Sequence, residues 1–202
     1  SLDSATIGII ANDGYFSFGS GNTISNTDFS ECFQLGNTNT INTSSFFYGI
    51  VGRSNSITGS GSYRYIVGSN NTSSGGKEQV ILGVDNTVSG NFTSMLGSNS
   101  TLSGTFSTAI GPTHSITHPW SVGIGSWVQS GASGASIIGH GLEADSTQKL
   151  VNNTANSLAL GWNSTTPQHV FKSTGVNLTL PTSATGLSSG DLYNDSGTVK
   201  IV

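Results

Sequence analysis

Charge is scarce in this sequence: 6 Lys and Arg stand against 10 Asp and Glu in 202 residues, a net charge of -4. No basic stripe is available to displace counterions from a phosphate backbone, so no nucleic-acid partner is expected. A single cysteine, Cys32, excludes an intrachain disulfide and leaves stability to packing. No apolar run approaches the roughly 20 residues of a membrane helix, and no cationic start followed by an apolar stretch marks a leader, so no membrane insertion is expected. Apolar residues make up only 34% of the chain, well under the roughly 45–50% of a typical globular domain, which argues against a compact enzyme fold. No Gly-x-Ser-x-Gly elbow with a placed His and Asp, no phosphate loop and no cysteine cluster rises above chance. The expectation is a protein that is not an enzyme, with no catalytic residue, no cofactor and no metal.

Gly, Ser, Thr and Asn, by contrast, make up 105 of the 202 residues. Disorder does not follow, because the net charge is small and apolar residues recur at fixed intervals. An apolar residue precedes glycine at Phe18-Gly19, Leu35-Gly36, Val51-Gly52, Val67-Gly68, Leu82-Gly83, Leu96-Gly97, Ile110-Gly111, Ile124-Gly125, Ile138-Gly139 and Leu160-Gly161. Successive glycines lie 17, 16, 16, 15, 14, 14, 14, 14 and 22 residues apart. A second apolar site follows most of these glycines by five residues, at Ile24, Ile41, Ile57, Val88, Leu102 and Ile116, and relaxes to Ser73, Ser130 and Ala144. Short β-branched runs such as Tyr65-Ile66-Val67 and Val80-Ile81-Leu82 are strands rather than helices. Two such strands and two turns account for one 14-residue coil, with the glycines placed in the turns. Stacked coils of this kind make a β-roll. The longest interval, from Gly139 to Gly161, reads as an excursion loop with one helical turn near Gln148–Val151.

Strand alternation sorts the side chains into faces. Val67 with Tyr65, Leu82 with Val80 and Ile124 with Val122 share one face and are expected to fill the roll. Ile50, Ile66, Ile81, Met95 and Ile137 then point outward, and such a stripe needs cover. A narrow coil alone buries too little apolar surface, at ~25 cal/mol per Å², to offset the ordering of its backbone. The expectation is a homotrimer with these five residues at the interface, where Ala109, Gly123 and Ala159 allow closer approach. Asn22, Asn39, Asn55, Asn71 and Asn86, continued by Ser100 and His114, form a ladder expected to bond coil to coil.

Candidate chemistry is sparse. His114 and His118 occupy ladder and turn positions rather than a metal-ligand spacing suited to strands. Glu143 and Asp145 form the nearest acidic pair, placed in a surface loop. The aromatics are more informative: five residues before the glycine, successive coils present Phe47, Tyr63, Glu78, Phe92, Phe106 and Trp120. Stacked rings at a roll corner stabilise it, and an exposed column beside polar side chains can also hold the apolar faces of sugars. The candidate receptor-binding residues are Tyr63, Arg64, Phe92, Phe106, Trp120 and Trp127.

The repeat of Val80-Ile81-Leu82-Gly83 followed by Asn86, Val88 and Gly90 resembles the left-handed parallel β-roll heads of trimeric autotransporter adhesins, over about residues 14 to 146. The final stretch, Leu180-Pro181-Thr182-Ser183 through Leu192-Tyr193-Asn194-Asp195-Ser196-Gly197-Thr198-Val199-Lys200-Ile201-Val202, resembles the end module of bacteriophage fibre and virion surface proteins. Its alternating strands around Ser196-Gly197 are expected to form a hairpin. These resemblances imply a β-roll over 1–161, a β connection over 162–180 and a hairpin module over 181–202. They imply a homotrimeric fibre on the virion surface, held by other virion proteins and binding a host cell-surface glycan or protein. The head of a bacterial adhesin, or a capsid decoration fibre without a receptor role, is the alternative.

Overall fold

The computed structural model describes residues 8–10, 14–25, 31–43, 47–142 and 148–202; Glu143 and Asp145 lie outside them. Each coil contributes one long and one short strand. Long strands such as Tyr48–Arg53, Arg64–Ser69, Gln79–Val84 and Thr93–Ser98 stack in parallel with glycine on glycine, Gly52 on Gly68 on Gly83 on Gly97. Short strands such as Ser56–Thr58, Thr72–Ser74 and Thr87–Val88 stack likewise. The result is a parallel β-solenoid of a 13-stranded and a 9-stranded sheet, with no helix among the described residues. Leu150–Asn152 is a strand paired with Val128–Ser130, so no helical turn forms there.

The long sheet is closed at both ends by antiparallel strands. Gly8–Ile10 pairs with Tyr15–Phe18. At the other end, His169–Lys172 and Gly175–Leu178 fold as a hairpin onto Ser157–Gly161. The terminal hairpin, Leu192–Asp195 with Thr198–Ile201, stands as its own two-stranded sheet. Its turn holds Ser196 and Gly197 at φ 53° and 94°, the left-handed pair that suits a two-residue hairpin.

Gly59, Gly75, Gly90 and Gly104 lie between strands as expected, but glycines of the apolar-glycine beat such as Gly52, Gly68, Gly83 and Gly97 lie within the long strands and not in the turns. Gly68 lies within the long strand Arg64–Ser69 at φ 142°, and a Cβ built there would stand 1.7 Å from the Gly83 carbonyl oxygen. Coil-on-coil backbone approach, as much as the positive φ, therefore requires glycine along this row.

The in-out assignment of the long strands is the reverse of the sequence expectation. Ile50, Ile66, Ile81, Met95 and Ile137 are buried in the single chain and face the interior, against Ile41, Ile57, Val88, Leu102 and Ile116 of the short sheet. They cannot be an interface between copies. Tyr65, Val67, Val80 and Leu82 instead point outward and are exposed. Alternation fixes which residues share a face and leaves open which face is inside. The more uniformly apolar face is outside because the interior also admits Arg64, Gln79, Thr93, Ser107 and Ser121, which bond to turn carbonyls. Examples are Gln79 Nε2 to Gly90 O at 2.7 Å and Ser107 Oγ to His118 O at 3.1 Å. Small residues follow the same logic: a Cβ on Gly123 would meet Ile116 Cδ1 at 2.8 Å and Val128 Cγ2 at 2.9 Å. Gly123 makes room for the opposite wall and has no role in approach between chains.

Candidate receptor-binding surface

In six successive coils the residue that enters the long strand adopts the left-handed conformation. Phe47, Tyr63, Glu78, Phe92, Phe106 and Trp120 have φ of 61°, 59°, 52°, 54°, 55° and 60°. This is costly for bulky side chains, by about 1–2 kcal/mol each, and the coil stack supplies the hold. Phe92 N–H donates to Lys77 O at 2.7 Å, and Trp120 N–H to Thr105 O at 2.9 Å. The same backbone turn throws every side chain outward at one corner. Phe92 and Phe106 stack at 4.8 Å and 2°, Phe106 and Trp120 at 4.4 Å and 15°, and Phe47 and Tyr63 at 5.1 Å and 9°. Each such pair is worth about 0.5–1.5 kcal/mol beyond its buried area. The column remains open to solvent, with Trp120 62% exposed and Tyr63 49%.

Two of the sequence-predicted residues do not belong to it. Arg64 is fully buried and points into the roll. Its guanidinium donates to Thr58 O at 2.7 Å, Gly59 O at 2.9 Å and Gly75 O at 3.2 Å, and lies 5.1 Å from the Tyr48 ring centroid. Next to Tyr63 in sequence, it faces the other way because alternation begins at that step. Trp127 follows the strand that Trp120 precedes, Val122–Ser126, and so stands at the opposite edge of the long sheet, about 20 Å away at 3.3 Å per residue. It shares the register of Asn99 and Thr113, whose φ are 52° and 62° beside its own 49°.

The asparagine ladder does bond coil to coil. Asn55, Asn71 and Asn86 donate Nδ2–H to the preceding Oδ1 at 3.1, 3.0 and 2.9 Å, and to glycine carbonyls of the following coil at 2.7, 2.6 and 2.8 Å. It ends at Ser100, whose Oγ accepts the His114 N–H at 2.9 Å. His114 is buried with no hydrogen-bond partner for either ring nitrogen among the described residues. Burial holds its pKa below the ordinary 6.5, partly offset by the Ile110 carbonyl and reinforced by the Lys149 charge. The folded chain therefore binds this proton less readily than the unfolded one, and stability falls as pH drops below about 6.5 toward the folded pKa. His114→Asn, which restores the ladder residue, should remove this loss. Denaturant midpoints at pH 7.5 and 5 check it, with the variant's midpoint falling less between the two than that of the wild type.

His118 is engaged at a turn, where its Nδ1 lies 2.9 Å from Ser130 O. Among the described residues no group of three or more His, Cys, Asp or Glu gathers at metal-binding range. No helix there is long and apolar enough to cross a membrane.

These features define a parallel β-solenoid with an apolar outer sheet face and an exposed aromatic corner. Comparison with family models, curated proteins and solved structures finds no match to the chain.

Proposed function

We propose that this chain is a structural fibre protein on the exterior of a bacteriophage virion, a non-enzymatic homotrimer that holds the particle to host-surface glycans. One observation carries the reading. The outward row one residue before each glycine runs in register from Phe18 through Val67, Leu82, Leu96 and Ile110 to Leu160 without a polar member. Parallel sheets are ordinarily covered on both faces, and a continuous exposed apolar stripe marks an association surface. The neighbouring outward row is interrupted by Gly49, Ser94, Thr108 and Ser136, which suits a rim. Identical copies seated on the uniform row leave the aromatic corner outermost. The resemblance of the repeat to trimeric adhesin heads supports three as the number of copies. The terminal hairpin supports assembly as well, since Val199 and Ile201 are 60% and 69% exposed on two strands that would be marginal alone. Its resemblance to fibre end modules supports the virion and its other proteins as the setting. Adhesion then works by multivalency, with weak contacts on three chains adding through effective concentration.

Sedimentation equilibrium tests the assembly. The wild-type chain is expected at three-chain mass, and Leu82→Glu with Leu96→Glu at single-chain mass with an unchanged β spectrum. A wild-type chain that sediments alone, with Leu82 and Leu96 open to water, overturns the reading. Trp120→Ala should weaken binding of the trimer to host cells by about tenfold, as truncation of a central aromatic anchor does.

A further inference from the structure

The aromatic column lacks one ring. Between Tyr63 and Phe92 the corner position is held by Glu78, in the same left-handed conformation as its neighbours, with φ 52° between 59° and 54°. Adjacent rings in the column stand 4.4–5.1 Å apart, so Tyr63 and Phe92, two coils apart, are separated by about 10 Å at the strand spacing. The space between them is a cleft of about 400 Å³, floored by Tyr65, Val80 and Ser94. Glu78 is exposed, and no ion pair engages its carboxylate among the described residues.

We propose that this cleft is a binding slot for one non-acidic pyranose ring, inserted edge-on between Tyr63 and Phe92 with vicinal hydroxyls, or an amine, on the Glu78 carboxylate. The inference rests on the adhesion reading above and locates its ligand. A pyranose presents apolar C–H faces on both sides and hydrogen-bond donors around its edge. That pattern matches two facing rings with an acceptor-only group between them. The cleft volume lies in the range of small-ligand sites and exceeds what a single guanidinium fills. A carboxylate at the mouth disfavours uronic and other acidic sugars by like-charge repulsion, so the slot selects as well as holds.

Ligand-observed NMR titration of the full chain tests the slot. The probes are the methyl pyranosides of glucose, galactose and mannose, the methyl glycoside of glucosamine, methyl glucuronoside, and arginine methyl ester as a guanidinium control. At least one neutral or amine-bearing probe is expected to bind, with the glucuronoside weaker by about tenfold. Glu78→Gln should narrow that discrimination to about threefold while keeping the slot open. Glu78→Phe continues the column as Phe92 and Phe106 do, so it is compatible with the fold and should abolish binding of every probe. Retained affinity in Glu78→Phe overturns the slot and leaves adhesion through the outer ring faces standing. No binding by any pyranoside, or binding of arginine methyl ester alone, overturns it in favour of an empty or guanidinium-binding cleft. Slot binding that leaves host-cell attachment unchanged in Glu78→Phe separates failure of the adhesion reading from failure of the slot.

Discussion

Gly68→Ala is expected to unfold the centre of the solenoid, whereas Gly175→Ala should be tolerated. The two glycines have almost the same backbone conformation, with φ of 142° and 146°. Strain from a Cβ at such a φ costs each variant about 1–3 kcal/mol. They differ in what the methyl group meets. At Gly175 nothing lies within 4 Å, whereas at Gly68 the Gly83 carbonyl oxygen is 1.7 Å away. That carbonyl belongs to the next coil and accepts the Asn71 amide at 2.6 Å, so it cannot retreat without breaking the ladder. Moving it also displaces the parallel pairing of Arg64–Ser69 with Gln79–Val84. The total for Gly68→Ala should exceed about 4–5 kcal/mol, in the range reserved for severe structural defects. Urea titrations of the two variants side by side separate the contact from the backbone term. Equal costs would show that the stacking contact contributes nothing.

Arg64→Met should be the next most damaging change, through stability rather than binding. Among the described residues the buried guanidinium has no ion pair; its two terminal nitrogens donate to carbonyls at Thr58, Gly59 and Gly75 and to Thr43 Oγ1 at 3.2 Å, its plane lies by the Tyr48 ring, and Nε is buried without a hydrogen-bond partner. Burial lowers its pKa from the ordinary arginine value, with Tyr48 acting in the opposite sense, and an arginine remains charged at neutral pH regardless. The methionine fills similar volume and removes the buried charge, but it leaves several turn carbonyls without donors. The net loss should be about 3 kcal/mol. Arg64→Lys keeps the charge and loses the fork, so it should be little better. Thermal unfolding measures both. An Arg64→Met chain that keeps its Tm but loses attachment would return Arg64 to the receptor surface where its neighbour Tyr63 suggested it.

What was legible in the sequence was local. The apolar-glycine beat gave the coil, the asparagine spacing gave a ladder that bonds as expected, and the Ser196-Gly197 turn gave the terminal hairpin. Each depends on a short window or a strict interval. Choosing the inside face does not, since a period of two yields two assignments that differ only in what lies opposite. Ile66 and Val67 are equally apolar. What buries Ile66 is Ile57 and its neighbours on the short sheet, which the order of residues along one strand does not contain. Arg64 departs from the expectation because a charged residue reads as a surface residue until its acceptors are located. Trp127 was misplaced because closeness in sequence crosses the whole width of the long sheet. Of the candidate surface, Tyr63, Phe92, Phe106 and Trp120 do share one corner, and Glu78, in the same register, carries the most distinctive geometry.

The antiparallel strands that close both ends of the long sheet bear on reach. A stack of identical parallel rungs could lengthen indefinitely by end-to-end docking. The reversed strand Gly8–Ile10 and the reversed pair His169–Lys172 and Gly175–Leu178 present no such continuation. Within the described stack, the long sheet's span follows the number of rungs, each adding about 4.8 Å. Duplication or loss of one repeat tunes that span as a ruler is tuned by adding or removing a division, with both terminal stops left in place.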